Sequence, residues 1–188
     1  MPEKTTFLQR IAEAFEASAK QFAKENQTLA DLASARSAKT LKPRHEIADK
    51  VWLDFKPDSG VEASLATDKK TGELRFEVTE RGESPWASFS YELSIETLRD
   101  ARFLGILINA RSSNMAAFRP CLRYVLPEGF EDQFARDMIL LGDTDEDHLC
   151  FIRVDSDLVS RANTAEVLFF FEGKRFEVIL NSVENLKI

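Results

Sequence analysis

The stretch Asp100–Ser113, DARFLGILINARSS, is apolar on both faces over its centre and turns abruptly polar and basic at its end. Side chains of a β-strand alternate between its two faces, and positions 103–108 are apolar or glycine on either face. A strand in a two-layer sandwich normally needs only one apolar face. The stretch therefore predicts a sandwich strand whose second face is covered by another element.

Short runs with the two-residue period of strands recur on both sides of this stretch. In ELRFEVTE, residues 73–80, every second residue is apolar, and the turn Lys70-Thr71-Gly72 precedes the run. The pattern predicts about ten strands, near residues 46–56, 61–67, 73–80, 86–93, 102–111, 119–126, 136–141, 148–154, 166–171 and 174–180, with a short last strand at 184–188. Residues 94–101 predict one helical turn with Ser94 as its N-cap. Antiparallel strands at this spacing form a two-sheet sandwich or a barrel, so the fold is predicted to be mainly β.

The first forty residues have a different composition. Residues 3–38 contain no Gly or Pro and are rich in Ala, Glu, Lys and Gln, and Pro43 ends this pattern. We therefore predict a long amphipathic α-helix within residues 1–42 and a β-sandwich domain over residues 43–188.

An apolar stripe with heptad-like spacing runs along this predicted helix. Its members are Leu8, Ile11, Phe15, Phe22, Leu29 and Leu32, with Ser18 and Glu25 at the intervening positions. Such a stripe suits docking on a sheet, where the helix would cover the second face of residues 102–111 and of the run 167–171. It equally suits a self-associating coiled coil that builds a homo-oligomer. Both interpretations remain open.

Composition and charge exclude several classes of protein. The formal net charge of -7 argues against general nucleic-acid binding, which requires a basic surface. No apolar run approaches the roughly 20 residues of a membrane span, so membrane insertion is not expected. The N-terminus has no apolar signal-peptide region, which predicts cytoplasmic synthesis, with leaderless or particle-borne export as further options.

The motifs of common enzymes are absent. The sequence has no GxSxG, GxGxxG, GxxxxGK[ST], HExxH or CxxC motif. Its two histidines, His45 and His148, are too few for the several His ligands of a cupin metal centre. Cys121 and Cys150 are far apart and are expected to be reduced thiols. The sequence therefore predicts a protein that is not an enzyme.

The sequence contains two candidate metal sites. His148 and Cys150 share a face of one predicted strand and would supply two zinc ligands. The loop GDTDEDH, residues 142–148, carries three alternating carboxylates that suit Ca²⁺, at Asp143, Asp145 and Asp147. The loop lacks the glycine and the final acidic residue of an EF-hand, so no cofactor is expected.

Charge is segregated along the middle of the chain. Residues 99–123 contain five arginines and one acidic residue, whereas residues 127–147 contain eight acidic residues and one arginine. Guanidinium groups bind anions well, so the basic segment is a candidate ligand site. The alternative is that the two segments pair with each other across neighbouring strands.

A family resemblance appears in the run Trp86–Ser113, WASFSYELSIETLRDARFLGILINARSS, the hairpin FFFEGKRFEVIL of residues 169–180, and the final RFEVILNSVENLKI of residues 175–188. These runs resemble the galactose-binding-like jelly-roll sandwiches of carbohydrate-binding modules, over roughly residues 50–188. The resemblance implies a two-sheet antiparallel jelly roll. It also implies glycan binding through exposed aromatic and polar residues, at positions that here are Trp86, Asn109, Arg111, Arg119 and Arg123.

Two functions follow from these observations. The first is a non-catalytic carbohydrate-binding module, with an acidic glycan or polysaccharide as one candidate ligand. The second is a structural or adhesion protein of an oligomeric assembly, such as a particle or phage-like spike, that associates through the N-terminal helix.

Overall fold

The structure, a computed structural model, describes residues 7–188, apart from the side chains of residues 7, 8, 10 and 11. Its described part is a sandwich of two antiparallel β-sheets with a helical segment at the N-terminal end. The predicted fold, a mainly β sandwich with an N-terminal helix, is confirmed. The stripe positions Leu8 and Ile11 and the predicted helical residues before Phe7 lie outside what the structure describes.

The helices are α1 (Phe7–Ala19), α2 (Ala23–Ala30), α3 (Ile95–Leu98) and α4 (Ser156–Arg161), with 3₁₀ turns at Lys20–Phe22 and Asp31–Ser34. The strands are β1 (His45–Ala48), β2 (Val51–Phe55), β3 (Glu62–Asp68), β4 (Glu73–Glu80), β5 (Ala87–Leu93), β6 (Phe103–Arg111), β7 (Ala116–Leu126), β8 (Gly129–Phe134), β9 (Ile139–Leu141), β10 (Glu146–Arg153), β11 (Thr164–Phe171) and β12 (Phe176–Lys187). None of the helices between residues 7 and 188 is both long and apolar enough to cross a bilayer.

The strands form two sheets. The seven-stranded sheet has the order β1-β2-β5-β11-β7-β8, and β9 pairs with the beginning of β7. The five-stranded sheet has the order β10-β6-β12-β4-β3. Consecutive strands such as β6 and β7 lie in different sheets, so the chain repeatedly crosses from one layer to the other.

Aromatic side chains fill the space between the sheets. The ring centroid of Phe169 lies 4.9 Å from that of Phe118 and 5.6 Å from that of Phe89, and all three side chains are buried. Phe76 and Phe176 face them from the five-stranded sheet and are also buried. Interlocking aromatic rings of this kind hold the two layers together through dispersion and the hydrophobic effect.

The structure corrects several predicted strand boundaries. The strand predicted over 46–56 is a hairpin, because the chain reverses at Asp49-Lys50, where Lys50 has a φ of 60°. The runs 174–180 and 184–188 are one strand, β12, with a bulge after Leu180. β8 was missed because it is an edge strand with no buried face, which gives no apolar alternation to detect. The predicted helical turn is confirmed as α3, but the Ser94 side chain makes no capping hydrogen bond.

The N-terminal helices do not cover the faces that the sequence suggested. Phe103, on the outer face of β6, is 38% exposed, and Leu107 is half-buried. The outer residues of β11 are covered instead by neighbours on their own sheet, since the Phe170 ring lies 6.0 Å from that of Phe134. The helices lie along the C-terminal half of β12, whose edge is open because β4 pairs only with Phe176–Leu180.

Asn26 of α2 completes this open edge as a neighbouring strand would. Its side-chain oxygen accepts a hydrogen bond from the Asn185 backbone N–H at 2.8 Å, and its side-chain nitrogen donates to the Asn185 carbonyl at 3.1 Å. The Ser18 hydroxyl donates to the carbonyl of Lys187, the next residue on the same edge. The amide of Asn26 thereby satisfies backbone groups that no strand reaches.

The polar members of the predicted helix stripe therefore have partners within the same chain. Ser18 binds β12, and the Glu25 carboxylate accepts a hydrogen bond from the Ser94 backbone N–H at 3.2 Å. Phe22 and Leu29 are buried, whereas Phe15 of α1 is 41% exposed. Self-association through α1 stays a prediction.

Asn26→Ala should lower the free energy of unfolding by about 2–3 kcal/mol, because it leaves a buried N–H and a buried C=O of Asn185 without partners. Chemical denaturation monitored by circular dichroism measures the change. Gln27→Ala is the matched control, since Gln27 is exposed and bonds only Asp31 among the described residues. An equal effect of both substitutions would contradict the edge-capping role of Asn26.

Candidate functional site

The five predicted site residues lie on opposite sides of the sandwich. The even-numbered residues of β6 are buried between the sheets, so Asn109 and Arg111 lie on the outer face of the five-stranded sheet. Arg119 and Arg123 of β7 lie on the outer face of the seven-stranded sheet, and Trp86 directly precedes β5 of that sheet. The structure therefore brings Arg119 and Arg123 onto one face and separates them from Asn109 and Arg111.

On the five-stranded sheet, Asn109 and Arg111 belong to a polar cluster whose groups bond each other. Arg111 donates to Asp145 and to Glu73, each at 2.7 Å. Asn181, at the bulge of β12, donates to both Asn109 and Asp145 at 2.7 Å. The pairing of Arg111 with Asp145 is what the charge-segregation alternative predicted, and it leaves little hydrogen-bonding capacity here for a ligand.

The electrostatics of this cluster follow from its hydrogen bonds. Those from Arg111 and then Asn181 hold the pKa of Asp145 below its ordinary value. The same interactions with Asp145 and Glu73 raise the pKa of Arg111. In this cluster one guanidinium group pairs with two carboxylates, so the positive charge of Arg111 is fully compensated.

The acidic loop directs two of its three candidate calcium ligands toward protein donors. Asp145 accepts from Arg111, and Asp147 accepts from Asn109 at 2.7 Å. Within the described part of the chain, no three His, Cys, Asp or Glu residues are grouped closely enough to hold a metal ion.

The candidate zinc ligands His148 and Cys150 do share a face of β10. Both lie opposite buried residues of β6 and face the edge of the interior. The Nε2 atom of His148 is buried without a hydrogen-bond partner among the described residues, and burial raises the pKa of the Cys150 thiol to about 12. A neutral thiol is a poor metal ligand.

The outer face of the seven-stranded sheet carries the other candidate site. One residue from each of five neighbouring strands forms a row across it: Trp52, Ser90, Leu168, Cys121 and Phe134. The adjoining row on one side is Asp54, Ser88, Phe170 and Arg119. The adjoining row on the other side is Glu92, Glu166, Arg123 and Asp132.

The centre of this face is closely packed. Ser88 and Ser90 are only 4% and 1% exposed although they point away from the interior, because larger side chains flank them. Trp52 lies at one end of the five-residue row, and Phe134, 44% exposed, lies at the other. The row therefore has an aromatic side chain at each end and a covered centre.

Arg44 lies at the Trp52 end of this row. Its guanidinium lies 4.3 Å from the centre of the Trp52 ring and donates to the Glu166 carboxylate at 3.0 Å. The Arg44 backbone N–H donates to Asp54 at 2.8 Å, and Arg44 has a φ of 49°. A cation–π contact and an ion pair thus hold the arginine over the tryptophan.

Arg123 is likewise neutralised. Its Nε and one terminal nitrogen both donate to Asp132 at 2.7 Å, a two-pronged pairing. Its guanidinium also lies 3.9 Å from the centre of the Phe130 ring. These hydrogen bonds to Asp132 raise the pKa of Arg123. Arg119, by contrast, is exposed and has no ion pair with any residue the structure describes.

Most of this face was missed from the sequence. Trp52 lies outward, under Arg44. Ser88 and Ser90 also lie outward, because the residues of β5 alternate between the two faces of the sheet. Arg44 and Glu166 are 122 residues apart, and no periodicity links them.

A separate cavity of about 510 Å³ lies between α2 and the ends of β2 and β5. Its lining includes Lys24, Glu25, Lys50 and Glu92 around the buried Tyr91. Lys50 pairs with Glu92, which raises the pKa of Lys50. None of the predicted site residues lines it.

Comparisons with known proteins agree with the architecture. No protein-family model matches the sequence, and no curated protein matches it. A solved structure of a CBM4 carbohydrate-binding module superposes with a TM-score of 0.56 at 14% identity, covering 69% of this chain and 79% of that chain. The family 11 carbohydrate-binding module of Clostridium thermocellum, solved with a β-1,3-1,4-mixed-linked tetrasaccharide, gives a TM-score of 0.51 at 14% identity, covering 81% and 97%. At these identities the likeness shows the fold alone, and it confirms the resemblance to carbohydrate-binding-module sandwiches.

Removing either hydrogen-bond donor to Asp145 should raise the pKa of Asp145. The rise should be larger in Arg111→Gln than in Asn181→Ala, because the hydrogen bond from Arg111 is the larger cause of the lowered pKa. Carboxyl-carbon NMR titration measures both. Because the folded pKa is lowered, the stabilisation from this ionised group is present above its unfolded pKa and is lost as pH falls through the folded pKa. A larger rise in Asn181→Ala would contradict this ordering.

Proposed function

We propose that this chain is a non-catalytic carbohydrate-binding module whose ligand lies across the outer face of the seven-stranded sheet. The observation that carries the proposal is the row of five residues across this face that begins with Trp52 and ends with the exposed ring of Phe134. The face is long enough to meet several sugar units, because this row spans five strands about 4.8 Å apart.

The chemistry of the face suits a sugar ring. Each ring has an apolar C–H face that packs on an aromatic side chain and hydroxyl groups that need donors and acceptors. The exposed ring of Phe134 supplies the first requirement at one end of the row, and Trp86, just before β5, is the second candidate. Asp54 and Glu92 supply acceptors in the adjoining rows, and Arg119 supplies donors.

The fold comparison supports the choice of a first ligand. The family 11 module of Clostridium thermocellum was solved with a β-1,3-1,4-mixed-linked tetrasaccharide, and its fold resembles that of this chain. That tetrasaccharide is therefore the neutral probe, and an oligogalacturonide of equal length is the acidic one.

Phe134→Ala should weaken binding of the better probe about tenfold, equivalent to about 1.4 kcal/mol, through loss of one stacked ring. Isothermal titration calorimetry measures the affinity. Phe151→Ala is a matched control, since Phe151 is 46% exposed, against 44% for Phe134, and lies on the five-stranded sheet. Trp86→Ala should also weaken binding, while Arg111→Ala should not. If binding were weakened only in Arg111→Ala and Phe151→Ala, the site would lie on the outer face of the five-stranded sheet instead.

An acidic glycan is the more specific proposal, and it depends on Arg119. The other two arginines of this face, Arg44 and Arg123, are already paired with Glu166 and Asp132. Arg119 is exposed beside Phe170 and is the arginine positioned to meet a carboxylate of the ligand.

Arg119→Gln should reduce affinity for the oligogalacturonide about tenfold and change affinity for the neutral tetrasaccharide less than twofold, since one charge-assisted hydrogen bond is lost. Arg75→Gln makes the same change in net charge on the five-stranded sheet, where Arg75 pairs with Glu177. Equal losses for both probes would exclude acid selectivity, and equal losses in both variants would indicate a general charge effect.

A further inference from the structure

β10 is an open edge of the five-stranded sheet. Among the described strands it pairs with β6 alone, in an unbroken register from Glu146 to Arg153. Just beyond the strand, the Val154 N–H donates to the Arg102 carbonyl of the β6 side at 3.0 Å. Backbone groups alternate along an antiparallel strand, so the even-numbered residues point to β6 and the odd-numbered ones point to the open edge.

The middle of this edge is poorly protected against pairing with another protein. Natural edge strands carry charged side chains, proline or a bulge, are very short, or are covered by a loop. The charged residues of β10 lie only toward its ends, at positions 146, 147 and 153. β10 has eight residues without a bulge, and its outer face exposes 41% of Leu149 and 46% of Phe151. Phe151 lies over Gly105 of β6, where a Cβ atom would come within 3.4 Å of its ring.

The space beside the edge is open, and apolar side chains line it together with Arg136 and Asp137. A groove of about 580 Å³ separates β10 from residues 135–140. Met138 and Leu140 line its far side and are 43% and 56% exposed. A strand entering beside β10 would cover these side chains together with Leu149 and Phe151.

We propose that β10 pairs antiparallel with β10 of a second copy of this chain, about a two-fold axis through Cys150, joining the two five-stranded sheets edge to edge. In this register Leu149 lies opposite Phe151 of the second copy, and Asp147 lies opposite Arg153 of the second copy. The symmetry repeats each contact twice.

The side chains select this register among the possible ones. Odd-numbered residues of one copy must lie opposite odd-numbered residues of the other. Only then do the unpaired backbone N–H groups of one strand meet the C=O groups of the other, and only then do the outer faces of the two sheets lie on the same side. A shift of the partner in one direction places Leu149 opposite itself and Asp147 opposite Phe151. A shift in the other direction places Asp147 opposite Asp155. Centring on Cys150 pairs apolar with apolar and acid with base across the outer face.

Charge reversal tests the register in the full-length chain. Asp147→Arg and Arg153→Asp should each weaken dimerisation at least tenfold, because each places like charges opposite one another at two symmetric positions. The double variant restores opposite charges and should dimerise within threefold of the original chain. Sedimentation velocity at roughly 1–200 µM protein, the range in which we expect the dimer to dissociate, measures the monomer–dimer equilibrium. Circular dichroism checks that each variant is folded.

A proline variant tests the edge itself. The Leu149 N–H points away from β6, so Leu149→Pro removes a donor only from the open edge and should give a folded monomer. A dimer that persists in Leu149→Pro would overturn strand pairing. So would an original chain that stays monomeric, or a folded double reversal that stays dissociated. A dimer insensitive to the reversals but lost in Phe15→Lys would assign association to α1 and equally overturn the proposal.

Discussion

The pairing of Asn26 with Asn185 is the contact on which the arrangement of the helix and the sandwich depends. Asn185 is fully buried at the point where the five-stranded sheet, α2 and Tyr91 of the other sheet meet, and the Tyr91 hydroxyl donates to its side-chain oxygen at 2.7 Å. Half of β12 has no strand on one side. Because this region is buried, backbone N–H and C=O groups left there without a hydrogen-bond partner would lower the stability of the fold. The Asn26 amide satisfies those of Asn185 and the Ser18 hydroxyl satisfies the Lys187 carbonyl, so hydrogen bonds as well as the buried Phe22 hold the helical segment on the sheet.

The layered architecture was predictable from the sequence because strand alternation is a local property. Leu74, Phe76 and Val78 point inward whatever their neighbours are, and the glycine turns separate one run from the next. Where a strand has no buried face, as in β8, that signal disappears. The position of the helix was not predictable, since it depends on an edge that opens only because β4 and β12 differ in length.

The site residues were harder to group than the strands, for a topological reason. Arg111 ends β6 and Arg119 lies on β7, eight residues later, yet the intervening turn carries the chain from one sheet to the other. Neighbours in sequence therefore face opposite directions. Arg44 and Trp52 belong to the β1–β2 hairpin and its approach, and Glu166, with which Arg44 pairs, lies 122 positions after Arg44. The basic segment, residues 99–123, is also less available to an anionic ligand than the sequence suggested, because Arg111 and Arg123 form ion pairs with the acidic segment that follows.

The distance along the chain between Asn26 and Asn185 has a consequence for folding during synthesis. The two residues are 159 positions apart, so the helix leaves the ribosome long before the strand it binds exists. Contacts of such long range form late and slow the search for the native state. In the nascent chain Phe22 and Leu29 therefore stay uncovered until translation reaches β12.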